Sequence, residues 1–252
     1  MFKSYSEIFR QRAHSYHEAM NTWPEARNQE FNALINQTPI HRQDRICDVP
    51  AGGGYLANYL RSYDVSYTAI ETAHYFFEQC PDIQGNKRIL SELDNIDLPD
   101  TAFDIIFSLA GLHHIEDRGQ VYRELHRLLK PAGTAVIADV KTNTATALFL
   151  NQFVNQHNSM GHEGIFLNER DLQLLEDGGF SITSNKQISY YWRFPSVEAM
   201  ATYCRLMFGL DQANNDVVVE GISQYLGFQE QHSTVEMNWS LQFLTAKKIV
   251  AN

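Results

Sequence analysis

The stretch Arg45-Ile46-Cys47-Asp48-Val49-Pro50-Ala51-Gly52-Gly53-Gly54, followed by Tyr55-Leu56-Ala57-Asn58-Tyr59-Leu60, decides how this chain is read. A short apolar run ends in an acid, turns through three glycines and then takes up helical spacing. That order is the pattern of a first strand, a tight loop and a first helix in a nucleotide-binding α/β unit. Glycines let a backbone approach a ligand with no Cβ in the way, and the start of a helix offers unpaired N–H groups. Three adjacent glycines also make an ordinary turn, so the flanking sequence must decide.

Downstream of the loop the pattern repeats. Strands are expected at 45–49, 65–71, 87–91, 103–109 and 134–140, with helices at 54–62, 73–80 and 117–130. In the last helix Val121, Leu125, Leu128 and Leu129 form one stripe, which Pro131 and Gly133 are expected to end. Such alternation implies a parallel sheet with helices on both faces. Upstream, residues 4–20 carry apolar groups at helical spacing, and Thr22 is expected to cap a second helix with Pro24 in its first turn. After Val140 the rhythm changes. Helices are expected at 144–157 and 168–177, the latter capped by Asn168 with Asp171. A long strand at 181–194, helices at 196–208 and 216–226, and a final strand at 235–249 complete the chain.

Two acids follow the loop in useful places. Glu71 ends the second strand, where a carboxylate, acceptor-only when ionised, can take both ribose hydroxyls of a nucleoside. Asp94 follows the third strand, where an acid can accept from an exocyclic adenine amine.

Composition bounds the rest. The 252 residues, 44% apolar and 20% charged, describe a globular chain long enough for one α/β domain with an added cap. No run approaches the ~20 apolar residues of a membrane span, and the first residues lack the apolar core of a signal peptide. Cys47, Cys80 and Cys204 fit neither a disulfide framework nor a zinc spacing. A cytoplasmic location is therefore expected, with neither membrane nor nucleic acid as partner: a net charge of −10 opposes binding to phosphate backbones. The sequence does not set an oligomeric state.

Several motifs then occur in order: Leu98-Pro99-Asp100-Thr101-Ala102-Phe103-Asp104-Ile105-Ile106-Phe107-Ser108, Leu112-His113-His114-Ile115-Glu116-Asp117, and Glu124-Leu125-His126-Arg127-Leu128-Leu129-Lys130-Pro131-Ala132-Gly133. With the loop and the two acids, residues 44–140 strongly resemble the class I S-adenosylmethionine-dependent methyltransferases. The resemblance is to the small-molecule (type 11) branch that includes the ubiquinone/menaquinone and malonyl-carrier-protein enzymes. The Phe9, Arg12-Ala13 and Tyr16 pattern is similar to the N-terminal helix of that branch. The resemblance implies a Rossmann-like, seven-stranded, mostly parallel sheet with its last strand antiparallel. It implies S-adenosyl-L-methionine as cofactor and S-adenosyl-L-homocysteine as product. One domain over 1–252 is expected, with an N-terminal helical cover (1–36), a cofactor-binding core (44–140) and cap insertions (141–165 and 195–230).

Residue by residue, the resemblance implies that Asp48, Pro50, Ala51, Gly52 and Gly54 lie under the methionine part of the cofactor. Glu71 and Thr72 match the ribose site, Asp94 and Asn95 the adenine site, and Ser108 the strand end beside the methyl group. Tyr16 and His113 complete the implied cofactor-binding set. Pro50 departs from the family pattern, which has glycine there; proline fixes φ and offers no N–H. The position can bear it if it neither donates nor needs positive φ.

Cofactor chemistry of this kind needs alignment of acceptor, methyl and sulfur, and a base only where the acceptor is protonated. His162, His157 and His14 are the candidates for general base or substrate positioning, with His17 and Glu163 behind them. The adjacent His113-His114 pair is not expected to hold a metal, since neighbours in sequence rarely face one ion. The expected reaction is methyl transfer to O, N or C of a small apolar or aromatic metabolite, of the kind met in secondary metabolism. A non-methylating cyclisation or isomerisation on the same fold, a cofactor-sensing module and a macromolecular methyltransferase stay open as rivals.

Overall fold

The computed structural model describes residues 5–81 and 86–249. The first four residues of the expected N-terminal cover lie outside them. Two helices come first, α1 (Tyr5–Thr22) and α2 (Asn28–Ile35). The sheet region follows: β1 (Arg45–Asp48), α3 (Ala57–Leu60), β2 (Ser66–Glu71), α4 (His74–Gln79), β3 (Lys87–Leu90), β4 (Phe103–Leu109), α5 (Arg118–Leu128) and β5 (Leu129–Asp139). Beyond it come α6 (Ala145–Leu148), a π-helical stretch at Phe149–Val154, α7 (Asn155–His157), α8 (Glu169–Asp177), β6 (Phe180–Phe194), α9 (Val197–Phe208), α10 (Asn215–Tyr225), β7 (Phe228–Gln231) and β8 (Thr234–Lys248).

The strands form one sheet in the order β3-β2-β1-β4-β5-β8-β6, with β7 paired to β8. The first five are parallel; β8 runs antiparallel to both β5 and β6. Strands β4 and β5 alternate strictly. Ile105, Phe107, Val136 and Ala138 enter one core with the N-terminal and late helices, while Ile106, Ala135 and Ile137 enter a second with α5 and α8. A sheet covered on both faces needs this apolar period of two on each side. The chain runs outward from β1 through β2 and β3, then returns to β4 on the other flank. The loops after β1 and β4 therefore part at a switch point, the crevice where α/β sheets bind ligands.

Several boundaries differ from the sequence reading. Thr22 does not cap α2. It ends α1, where its hydroxyl donates to the Glu18 carbonyl, and turns through Trp23–Arg27 delay α2 to Asn28. The helix expected at 54–62 is a single α-helical turn, because turns stepping from Gly54 to Leu56 use its first residues. Pro131 and Gly133 do not follow a loop. Strand β5 begins at Leu129, and its register against β4 jumps between Phe103↔Leu129 and Ile105↔Thr134, so Pro131 sits in a bulge that asks for no N–H. Strand β7, paired to β8, falls at the end of the segment read as helical cap (195–230), whereas β8 is the strand expected at 235–249. The Asn168–Asp171 capping box forms as expected.

Candidate active site

The crevice is built from strand ends. Val49 N–H donates to the Phe107 carbonyl at 2.9 Å and Ala51 N–H to the Ile70 carbonyl at 2.9 Å. Pro50 stands between these two anchored residues, at a position that has no donor to satisfy and does not take positive φ; Gly52 and Gly54 do. Its ring packs on the facing loop, where a Cβ on Gly111 would lie 2.3 Å from Pro50 Cγ.

Glu71 is fully buried at the end of β2. Its Oε1 accepts from the Thr72 and Ala73 N–H groups at 2.8 Å each, and Oε2 accepts from Gly52 N–H at 2.7 Å and the Tyr5 hydroxyl at 3.0 Å. Burial raises its pKa to about 7 against the pull of these donors. Asp48, buried beneath the loop, is also raised to about 7, by burial first and by the charge of Glu71, with the Tyr67 hydroxyl opposing. Tyr5 lines both a hollow over the glycine loop, walled by Asp48, Pro50, Gly52 and Tyr16, and a second hollow lined by Thr72, Leu93 and Asp94. Its hydroxyl on Glu71 occupies the place, and has the donor chemistry, of a ribose hydroxyl between them. The groups borne by the sheet fit an adenosyl ligand once Tyr5, carried on α1, releases this bond.

A neighbouring cavity shares Phe9, Tyr16, Arg27 and Ala110 with the loop hollow. One wall is aromatic: Trp192 stacks on Trp239 with ring centres 4.4 Å apart, and Phe208 stacks on both. Above them Arg27 pairs with Glu30 and donates to the Tyr16 hydroxyl at 2.6 Å, while Trp192 Nε1 donates to Glu30 at 2.6 Å. The other wall holds three buried histidines, His113, His114 and His162. Rings 113 and 114 are 4.1 Å apart, and His162 lies 5.6 and 5.2 Å from them, centre to centre. One ring nitrogen from each falls within 4.8 Å of the others, so the two neighbours in sequence do face a common point, contrary to the sequence reading.

Each outer histidine is oriented from behind. His113 Nδ1 meets Asp139 Oδ1 at 2.6 Å, and Asp139 also accepts the N–H groups of Leu112, His113 and Val140. Burial pushes the Asp139 carboxyl up, but His113 and the backbone donors hold it below the usual range. An ionised Asp139 fixes the proton of His113 on Nδ1 and leaves Nε2 as the basic nitrogen. His162 Nδ1 lies 3.0 Å from Asn151 Oδ1, on the π-helical stretch. His114 and His162 have pKa values well below the ordinary histidine range, by burial first and then by the charge of His113.

Residues 47–137 match the family model described as "Methyltransferase domain". That stretch carries a class I S-adenosylmethionine-dependent methyltransferase domain. The chain is 30% identical over 126 residues to 27-O-demethylrifamycin SV methyltransferase of Amycolatopsis mediterranei, a match spanning 47% of this chain and 46% of that one. The chain thus spans about half the length of that relative. Among solved structures the [4+2]-cyclase SpnF shares the fold with a TM-score of 0.70 at 17% identity, covering 100% of this chain and 98% of that one. Phosphoethanolamine N-methyltransferase 2 of Haemonchus contortus, solved with S-adenosyl-L-methionine, shares it with a TM-score of 0.64 at 15% identity over 98% of this chain and 60% of that one.

The structure distributes the expected residues unevenly. Asp48, Pro50, Ala51, Gly52 and Tyr16 line the loop hollow, and Thr72 and Asp94 line the other; Asn95 is exposed beside Asp94. Ser108 is buried with no hydrogen-bond partner among the described residues, and the next three positions, Leu109–Gly111, line the hollow instead. His113 lies with the histidine cluster rather than in either cofactor hollow. His162 is in the cavity. His157 packs on Phe153 away from it, and His14 is exposed beside Tyr75. His17 holds the Tyr55 hydroxyl at 2.8 Å. Sequence reasoning missed Asp139, His114, Arg12 and the Arg27–Glu30 pair. Asp139 ends its strand as Glu71 does, a signal that could have singled it out.

Proposed function

We propose that this chain transfers a methyl group from S-adenosyl-L-methionine to an oxygen, nitrogen or carbon of a small apolar or aromatic metabolite. The observation that carries this is the buried His113–Asp139 pair beside a cavity that shares Phe9, Tyr16, Arg27 and Ala110 with the glycine-loop hollow. The cofactor, when bound, supplies an electrophilic methyl on a sulfonium. Glu71, Asp94 and the loop would hold it across the two hollows. Asp139 keeps His113 in the tautomer that can accept a proton at Nε2, and it stabilises the imidazolium that forms as an acceptor hydroxyl or amine gives up its proton. The Trp192–Trp239–Phe208 wall supports a flat substrate and keeps water from the reacting atoms. Incubation of the chain with labelled cofactor and a panel of phenols, amines and enols should release S-adenosylhomocysteine with one of them.

A second reading, a non-methylating cyclisation, is favoured by the full-length match to SpnF, which extends over the helical cover as well as the sheet. Product formed without S-adenosylhomocysteine would select it and overturn methyl transfer.

A further inference from the structure

One cation at the cavity, Arg12, has no counter-charge in contact among the described residues. Arg12 reaches in from α1 and is partly buried. Its Nε is shielded from solvent with no hydrogen-bond partner among the described residues, and Nη2 reaches only the Met207 carbonyl, at a long 3.4 Å. Burial lowers its pKa to about 10, opposed by the charge of Asp211. Asp211 is itself exposed and already accepts the N–H and hydroxyl of Ser159. The other acids at this wall are taken: Glu30 by Arg27 and Trp192, Asp139 by His113 and three backbone N–H groups. Space for the guanidinium is built into the backbone. Gly209, left-handed at the end of α9, admits it where a Cβ would stand 2.5 Å from Arg12 Nε. A shielded charge without a partner is costly, and natural sites keep one where a ligand completes it.

The same charge bears on the three histidines. Arg12 is among the groups that hold His114 and His162 neutral. A divalent ion on that trio would add positive charge beside a guanidinium, so the cluster suits proton transfer and hydrogen bonding better than metal binding.

We propose that the molecule taken by this cavity carries a carboxylate, which Arg12 pairs, on a flat apolar body that lies against the Trp192–Trp239–Phe208 wall. This rests on the methyl-transfer reading for the cavity's role as the substrate site, and it narrows the substrate class to small aromatic or polyene acids. Guanidinium is suited to the task because its fork of donors matches a carboxylate in two parallel bonds.

The test uses the full chain saturated with S-adenosylhomocysteine, with 2-naphthoate and its uncharged isostere 2-naphthamide as calorimetric probes. Naphthoate should bind at least about tenfold tighter than naphthamide, the size of a charge-assisted pair. Arg12→Gln should bring the two within about twofold, while Arg12→Lys, which keeps the charge and loses the fork, should keep part of the preference. Equal binding of the two probes to the wild type, or a preference that survives in Arg12→Gln, overturns the proposal. Wild-type affinity for S-adenosylhomocysteine, measured first, separates the two failures: its absence sinks the methyl-transfer reading, whereas its presence without carboxylate preference sinks only this one.

Discussion

The crevice and the cavity beside it are built on opposite plans. Around the crevice, polar groups are satisfied mostly by strand ends and the loops that follow them, with Tyr5 reaching Glu71 from α1. Glu71 takes the N–H groups of the two residues after it, and at the end of β5 Asp139 likewise takes the N–H of Val140. In the cavity more of the partners come from far away in sequence: Trp192 reaches Glu30, Arg12 reaches the Met207 carbonyl, and His113 reaches Asp139. A floor made of local contacts can keep its geometry while the cover is rebuilt. The crevice on the sheet and the cover of the cavity are thus largely separable parts of the structure.

The strongest test of that separation is His113→Ala. It should lower kcat by about 10²–10⁴-fold, the usual worth of a general base, and leave the affinity for S-adenosylhomocysteine within a small factor of wild type. Equal loss of both would tie the two regions together. Next comes Trp192→Ala, which removes a fully buried ring shared by β6, α9 and α2. It should destabilise the fold by about 3–5 kcal/mol in denaturant unfolding. A loss below about 1 kcal/mol would show the cover to be loosely attached.

Glu71 sharpens the comparison through pH. With its pKa raised to about 7 in the folded protein, the carboxylate proposed to accept ribose hydroxyls is formed as pH rises through that value. Cofactor affinity should therefore increase between pH 6 and 8 and lose most of this dependence in Glu71→Gln. Stability should move the other way. The unfolded glutamate ionises near ~4.3, so between about 4 and 7 the folded state holds a proton the unfolded state has released, and stability falls as pH rises. Asp48, raised to about 7 likewise, adds to the same slope. A flat cofactor titration would contradict the assignment of Glu71. The smallest effect expected is for Tyr5→Phe. Removing the hydroxyl that holds Glu71 should tighten S-adenosylhomocysteine binding a few-fold, in line with the ~0.5–1.5 kcal/mol of one hydrogen bond; weaker binding would mean that Tyr5 helps rather than competes.

The floor was legible because its information is local. An apolar run, an acid at its end and glycines at fixed offsets specify a strand–loop–helix turn through short-range sterics, and the same logic placed Glu71 and Asp94. It failed where alternatives were locally equivalent. Pro131 and Gly133 end a helix as readily as they populate a bulge, and Thr22 can finish α1 as well as cap α2. His113-His114 looked unable to share a point because nothing nearby in sequence shows that Leu112–His114 forms a tight turn pinned by Asp139.

What the sequence by itself determined is the α/β class, the crevice and the family, since strand period, loop glycines and strand-end acids act over a few residues. Only the tertiary structure decided which histidines meet, that Asp139 stands behind one of them, and that Arg12 is left without a counter-charge. Those facts depend on helices from both ends of the chain closing over one sheet edge. Long-range packing of that kind is driven by burial, whose periodic trace in the sequence marks which residues are inside without naming their partners.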